Sequence, residues 1–538
     1  MPQLLLLGDE AIAQGAIDSG LSGVYAYPGT PSTEIMEYIQ ASKEAKHLKI
    51  RALWSSNEKT AMESALGMSY AGKRALVCMK HVGLNVAADA FINSAITGAN
   101  GGLVVVAADD PSMHSSQNEQ DSRFYAKFSF VPILEPTNQQ EAYDMIRYAF
   151  DLSEKMHIPV MLRITTRLAH SRSGVTTAQI RLQNELKLPS NLRQFVLLPA
   201  IARKQYRELL SKQAELQQLA KESGFNYYKP GSDKSLGIIA FGLAYNYLME
   251  NFTEKSFQFN LLKIGQYPVP DDMVREIYND SKEILVLEDG YPIIEELLKG
   301  ILNTGKPIHG RLDGTIPRDG ELTPNIVAKA LGIGVHVGKD IPEFIKNRPP
   351  RLCDGCSHND TFLALNDAIL AYGKGRVFSD IGCYTLSALE PLESINSCVD
   401  MGASITMAIG AADAGLVPSV AAIGDSTFTH SGITGLLDAV NNNSPITVLI
   451  LDNSTTGMTG GQTSSAFGKV EDICRGVGVK EEHIRVLKPL RKYHEENIKI
   501  MQEELAYEGV SVIIPRRECI QTLNRRMRHQ ANIKSMEG

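Results

Sequence analysis

The sequence predicts an α/β protein whose sheets are mostly parallel, and three observations carry that prediction. Short apolar runs with little alternation recur along the chain, among them Ala75 to Met79, Gly102 to Ala107 and Pro159 to Ile164. Segments of helical periodicity separate them, the pattern of repeated strand–helix units. Polar and glycine residues cluster directly after several of these runs, at the strand ends where open parallel sheets collect ligands.

Composition sets the outer bounds. A chain of 538 residues, 43% of them hydrophobic, has room for two to four domains with their own cores. The net charge of −7 carries no nucleic-acid footprint. The amino terminus, MPQLLLLGDEAIAQGA, has no basic region and is cut short by Gly8-Asp9-Glu10, so it reads as a first buried strand rather than a signal peptide. No apolar run approaches the length of a membrane span. Seven cysteines in a large chain without a secretion signal suggest metal or redox use rather than a disulfide scaffold, and a cytoplasmic enzyme is the expectation.

In chain order, Leu4 to Leu7 is followed by a helix opening at Ala11. Gly23 to Tyr27 is a strand that turns at Pro28-Gly29-Thr30-Pro31-Ser32 into another helix. Trp54 to Gly67 begins a helix with Glu58 in its first part and Glu63 further on; a glutamate there also complements the helix dipole. Residues 1–178 form the first α/β segment. Residues 179–232 are charged and helical in pattern and read as a connecting segment. From 233 to 345 a second α/β pattern runs, with strands at Ile238 to Phe241, Phe259 to Ile264 and Ile284 to Leu287. Glu288-Asp289 at the last strand end is expected to serve scaffold or subunit contact. The Pro- and Gly-rich stretch from Arg311 to Pro324, then Arg348-Pro349-Pro350, marks the approach to a last domain, 346–525, with a basic tail at 526–538.

That last domain holds the most informative stretch, Val420 to Gln462. An apolar run ends in Gly424-Asp425-Ser426, a Ser-capped helix is expected to begin near Ser431, and a second run, Ile446 to Leu451, ends in Asp452-Asn453. Gly424 permits close backbone approach to a phosphate. Asp425 and Asn453 are hard oxygen ligands of the kind Mg²⁺ prefers. The pattern is similar to the thiamine diphosphate fingerprint, with Ser426 where a glycine is usual. An ordinary βαβ unit with polar loop ends is the plainer alternative.

The cysteines form a second pattern. Cys353-Asp354-Gly355-Cys356, then Gly382-Cys383, then Cys519 near the end of a late strand, stand in order; Cys78, Cys398 and Cys474 read as small buried residues.

The segments GDSTFTHSG, GMTGGQ, YPGTPSTEI and MGASI resemble the large subunit of indolepyruvate:ferredoxin oxidoreductases, a branch of the 2-oxoacid:ferredoxin oxidoreductases, and the resemblance runs from about Gly8 to Cys519. It implies a thiamine-diphosphate-binding fold: a pyrimidine-binding domain at 1–178, a transketolase carboxyl-terminal-like domain at 233–345 and a diphosphate-binding domain at 346–525. The cofactor in this class lies between two such domains, commonly from different protomers.

The resemblance also implies roles. Glu58 contacts the aminopyrimidine and activates the cofactor, with Glu63 as competitor. Thr30 holds the oxo-acid carboxylate and Arg123 clamps it, unless Arg123 only pairs with Asp121 or Glu119. His81 is placed near the cofactor, with a structural role as its alternative. Gly424, Asp425, Ser426, Asn453, Thr455, Gly457, Met458 and Gly402 bind cofactor, and Asp425 and Asn453 hold Mg²⁺. Cys353, Cys356, Cys383 and Cys519 hold a [4Fe–4S] cluster, for which four thiolates are needed.

The activity implied is oxidative decarboxylation of an aryl-pyruvate to an aryl-acetyl-CoA. Coenzyme A is co-substrate, ferredoxin is acceptor, a smaller beta subunit is partner, and a dimer of heterodimers is the assembly. A non-oxidative 2-oxoacid decarboxylase and a non-catalytic assembly subunit are the rival readings. Relatives of this subunit continue into a ferredoxin-like domain, whereas here QTLNRRMRHQANIKSMEG follows Cys519 and its neighbour without a cysteine. Its Arg525, Arg526, Arg528 and Lys534 read as a ferredoxin-docking patch or, preferably, a solvated disordered tail.

Overall fold

The computed structural model describes residues 3–191, 194–195, 197–252, 256–299, 305–317, 320–335, 338, 342–345, 351–398, 401–413 and 416–537. Arg348-Pro349-Pro350, and two residues of the stretch before Pro324, lie outside the described residues. The chain divides into two compact units, Met1–Lys339 and Asp340–Gly538.

The first unit is built on a seven-stranded sheet. Its order is Gln266–Tyr267, Ile133–Leu134, Val160–Thr165, Leu103–Asp109, Ala75–Lys80, Gly23–Ala26, Arg51–Trp54, and every neighbour after the first pair is parallel. The strands Leu103–Asp109 and Val160–Thr165 are buried along their whole length. Burial on both faces is why their sequence shows no alternation. A five-stranded sheet follows, ordered Ile308–His309, Glu283–Leu287, Asp233–Phe241, Phe259–Ile264, Tyr227–Lys229, parallel except for the last pair. The sheets share chain: Gln266–Tyr267, just beyond a strand of the second, completes the edge of the first.

The first strand departs from expectation. Gln3–Leu7 pairs antiparallel with Arg172–Thr176 in a two-stranded ribbon outside the main sheet, and Leu5 is 69% exposed. A two-stranded ribbon covers one face at most, so its apolar run is not a buried strand. Trp54, read as helical, ends a strand instead; Asn57 caps the helix Glu58–Tyr70 by accepting from Thr60 N at 2.9 Å.

The second unit is a six-stranded, wholly parallel sheet, ordered Ser397–Cys398, Val377–Ser379, Ser419–Gly424, Ile446–Leu451, Ser511–Pro515, Ile484–Leu487. Alternate residues of its central strands feed two cores. Ala421, Ile423, Val448 and Ile450 belong to one, and Val420, Ala422, Leu449 and Leu451 to the other, so helices cover both faces.

The helix after Ser419–Gly424 begins at once, over Asp425–Thr427, passes through a π-helical turn at Phe428–Gly432 and continues as Ile433–Asn441. The expected Ser431 cap is therefore inside the helical run, and its amino end sits on Gly424-Asp425. Residues past Cys519 form a helix, Ile520–Glu537, rather than a disordered tail.

Candidate active site

In the second unit, the chemistry collects at the carboxyl ends of adjacent strands. Gly424 is in register with Leu451, which brings Asp425 and Ser426 beside Asp452 and Asn453. Asp425 is buried, and its Oδ2 has no hydrogen-bond partner. Burial, with the charge of Asp452 behind it, pushes its carboxyl up to about 7. Asp452 itself is compensated: Arg516 Nε donates to it at 2.5 Å, and the same guanidinium pairs with Glu471. One carboxylate of the pair is thus neutralised by the protein and the other is not. Asp425 and Asn453 carry oxygen donors of the kind a hard cation takes.

The surrounding residues are held firmly. Asn453 Oδ1 accepts from Thr455 N at 3.1 Å, and the Ser426 and Thr456 hydroxyls lie 2.8 Å apart. A Cβ on Gly424 would come within 2.7 Å of the Tyr384 ring, so only glycine lets Tyr384 close over this strand end. Gly402 packs against Ser431. Met458 is 57% exposed and contributes least to this cradle.

Cys353, Cys356, Cys383 and Cys519 line one cavity of about 100 Å³ together with Asn453 and His358. The Cys-x-x-Cys turn closes by Cys356 N donating to Cys353 O at 3.0 Å, and Cys356 caps the helix Ser357–Ile369. Cys519 N donates to Asn453 O at 3.1 Å, so the late cysteine hangs on the same strand end as the diphosphate motif. Burial pushes the Cys383 thiol up to about 12, with the other three cysteines adding to the shift.

Among the described residues no three of these sulfurs fall mutually within 4.8 Å. A single tetrahedral ion with bonds of about 2.3 Å would need them closer, at about 3.8 Å. Cys78 and Cys474 are buried as expected; Cys398 is exposed, because it ends an edge strand.

In the first unit, the carboxyl edge of the seven-stranded sheet carries Thr30, Glu58, Lys80, His81, Asp109 and Asp110. Glu58 is 5% exposed and lies against Gly83, where a Cβ would come within 2.5 Å of its Oε1. Glu63 is exposed and pairs with Lys59, which leaves Glu58 as the glutamate of that helix that faces the fold interior. Thr30 is half-buried, and its carbonyl accepts from Ser115 Oγ at 3.4 Å. His81 Nε2 lies 3.2 Å from Asn118 O; its Nδ1 has no partner, and burial depresses its pKa, so it stays neutral.

Arg123 requires a correction. It is wholly buried, and its five N–H groups are all committed. Nε and Nη2 donate to Asp121, Nη1 to Tyr267 Oη at 3.2 Å and Glu288 at 2.9 Å, and Nη2 also to Tyr291 O at 2.9 Å. Arg163 extends the network to Asp109, Glu135 and the Asp289 carbonyl. A guanidinium so engaged has no donor left for a substrate carboxylate. Glu288, pushed up to about 7 by burial, is part of this scaffold.

Two comparisons bear on these sites. Residues 14–203 match the family described as "Pyruvate flavodoxin/ferredoxin oxidoreductase, thiamine diP-bdg", and residues 380–513 match "Thiamine pyrophosphate enzyme, C-terminal TPP binding domain". The indolepyruvate oxidoreductase subunit IorA of Archaeoglobus fulgidus is 38% identical over 561 residues, covering 99% of this chain and 89% of that protein.

The chain belongs to the indolepyruvate oxidoreductase subunit IorA family.

Other members agree: the IorA of Methanothermobacter marburgensis is 40% identical over 96% of this chain and 87% of its own length. A solved structure titled 2-oxoglutarate:ferredoxin oxidoreductase from Magnetococcus marinus, with 2-oxoglutarate, coenzyme A and succinyl-CoA bound, is similar in fold. It is 17% identical with a TM-score of 0.50, over 61% of this chain and 65% of that one. The first family match covers every strand of the Glu58 sheet but its edge strand Gln266–Tyr267, and the second begins at Asp380 and contains the Asp425–Asn453 strand ends.

Sequence reasoning gave no role to His358, although it follows Cys356 by two residues. It is buried, its pKa is pushed down to about 4 by that burial, and neither ring nitrogen has a partner. Nor did it find the buried set of Asp380, Tyr384 and Ser404, in which both hydroxyls donate to the Asp380 carboxyl. Asp380 is pushed up to about 7 by burial.

Proposed function

We propose that this chain is the thiamine-diphosphate-binding subunit of an enzyme that converts an aryl-pyruvate, of the indolepyruvate type, and coenzyme A to an aryl-acetyl-CoA and CO₂. Two electrons pass singly to a ferredoxin. The observation that carries this reading is the buried Asp425 carboxyl beside Asn453, one oxygen of which has no hydrogen-bond partner, in a chain 38% identical to an indolepyruvate oxidoreductase subunit over nearly its whole length.

Asp425 and Asn453 would hold Mg²⁺ and, through it, the diphosphate, with Gly424, Ser426 and Thr455 shaping the cradle and Gly402, Gly457 and Met458 around it. Cys353, Cys356, Cys383 and Cys519 would hold a [4Fe–4S] cluster; that all four line one cavity supports this reading. When bound, the thiamine supplies an electron-pair acceptor for decarboxylation and the cluster a one-electron outlet. Glu58 shares a proton with the pyrimidine from a position sealed against Gly83. Thr30 offers a hydroxyl at the neighbouring strand end.

A smaller beta subunit, a dimer of heterodimers and a cytoplasmic location complete the reading. The pyrimidine domain is 1–178, the connecting helices lie in 179–232, the transketolase carboxyl-terminal-like domain is 233–345 and the diphosphate domain is 346–525. Arg525 and Arg526 are engaged within the chain, with Gly460 O and Glu518, which weakens a docking role for the last helix. Among the described residues no helix is long and apolar enough to cross a membrane.

The test is anaerobic purification with the partner subunit. The complex should be brown, carry about four irons in this chain, and reduce a one-electron dye only when aryl-pyruvate and coenzyme A are both present. Cys383→Ser should lower iron and dye reduction together. Colourless, iron-free protein that decarboxylates without coenzyme A would replace the oxidoreductase with a simple decarboxylase.

A further inference from the structure

A 2-oxo acid is an anion, and with Arg123 committed to the scaffold its carboxylate needs another cation at the sheet edge that bears Glu58 and Thr30. Lys80 stands there. It is the last residue of the strand Ala75–Lys80, which pairs with the strand Gly23–Ala26 that leads to Thr30; the strand that leads to Glu58 lies one further along. Its aliphatic stem lies 3.4 Å from the Cβ position of Gly29, beside Thr30. Its ammonium donates to Ser115 O at 3.2 Å, on the same loop whose Ser115 hydroxyl reaches Thr30 O.

Among the described residues no carboxylate makes an ion pair with Lys80. Asp110, the carboxylate whose charge acts most on Lys80, is occupied by neutral donors: Ser115 N, the Ser116 hydroxyl and the Thr166 hydroxyl all donate to it at 2.7–2.8 Å. An ammonium has three donors and this one uses a single neutral acceptor. The other cations of this region are spoken for, Arg123 and Arg163 by buried carboxylates and Arg167 by Glu321.

Resting on the function proposed above, we propose that Lys80 is the residue that binds the substrate carboxylate, with Thr30 beside it, and so selects 2-oxo acids over neutral carbonyl compounds. Burial depresses the Lys80 pKa, and the charges of Asp110 and Glu58 act against that shift.

The experiment uses the complex of both subunits with thiamine diphosphate and Mg²⁺. Lys80→Met and Lys80→Arg are compared with wild type for KM and kcat with phenylpyruvate, for the inhibition constant of phenylacetate, and for thiamine diphosphate affinity by calorimetry. Losing one charge-assisted hydrogen bond should raise KM and weaken phenylacetate by about tenfold to a hundredfold in Lys80→Met. Lys80→Arg should recover part of that loss, and thiamine diphosphate affinity should stay at the wild-type value in both.

Wild-type KM and phenylacetate affinity in an active Lys80→Met enzyme would overturn the assignment. So would a loss of thiamine affinity equal to the loss of substrate affinity, which is the mark of a structural role. A wild-type complex that binds thiamine diphosphate yet turns over no 2-oxo acid would instead bring down the functional reading, and the Lys80 assignment with it.

Discussion

Without its ligands the second unit should be unstable at neutral pH for a reason that one substitution isolates. Asp425 is buried, and its carboxyl is moved from an ordinary 3.8 to about 7, chiefly by that burial. The folded chain therefore holds this proton to higher pH than the unfolded chain does. Stability is lost as pH rises from about 4 towards 7, and the full cost stands above it. A shift of that size is worth about 4 kcal/mol.

Asp425→Asn keeps the shape and removes the charge. At pH 8, without cofactor, the variant should melt of order 10 °C above wild type, given the usual response of a unit of this size, and the gap should close towards pH 5. Mg²⁺ with thiamine diphosphate should reverse the order, raising the wild-type midpoint and leaving the variant where it was. The assay is thermal unfolding at two pH values with and without both ligands. A ligand-free variant no more stable than wild type at pH 8, or one that gains as much from Mg²⁺ and thiamine diphosphate as wild type does, would refute the reasoning.

Glu58→Gln should keep thiamine diphosphate affinity and slow exchange of the thiazolium C2 proton by about a hundredfold or more, followed by NMR; exchange at the native rate would transfer the role elsewhere. Arg123→Met should lower stability by about 3–5 kcal/mol in denaturant unfolding, because Asp121 and Glu288 are left buried without their cation. The active fraction should keep its KM, and a raised KM at unchanged stability would restore Arg123 as a substrate clamp.

What was legible in the sequence were features decided locally. Ile446 to Leu451 and Phe259 to Ile264 form strands with the bounds their apolar runs suggest, since side chains buried on both faces leave no other signal. The strand-end polar residues of the diphosphate motif were readable because each follows its strand directly. The start of the helix after Gly424 was not, because the π-helical turn carries Ser431 inside the helix, where a hydroxyl that looks like a cap has no capping to do.

Arg123 was only half legible: the pair with Asp121 was one of its two readings, and its burial was not. Its nearest partner, Asp121, is two residues away, but Tyr267, Glu288 and Tyr291 come from 144 to 168 residues downstream, and no local pattern announces them. Lys80 escaped notice because an unpaired lysine has no signature until its neighbours are known to be occupied.

The buried network around Arg123 and Arg163 also decides what can be inherited as a piece. Arg123 takes acceptors from Tyr267, Glu288 and Tyr291, and Arg163 from the Asp289 carbonyl, while Gln266–Tyr267 closes the edge of the first sheet. A gene fragment ending at residue 178 would encode two guanidiniums short of those acceptors and a sheet with an open edge. Recombination between relatives that cuts in the connecting helices would break the same contacts unless both sides matched. The first 339 residues are therefore expected to travel through evolution as one block, and splits of this subunit into separate genes should fall after that block rather than within it.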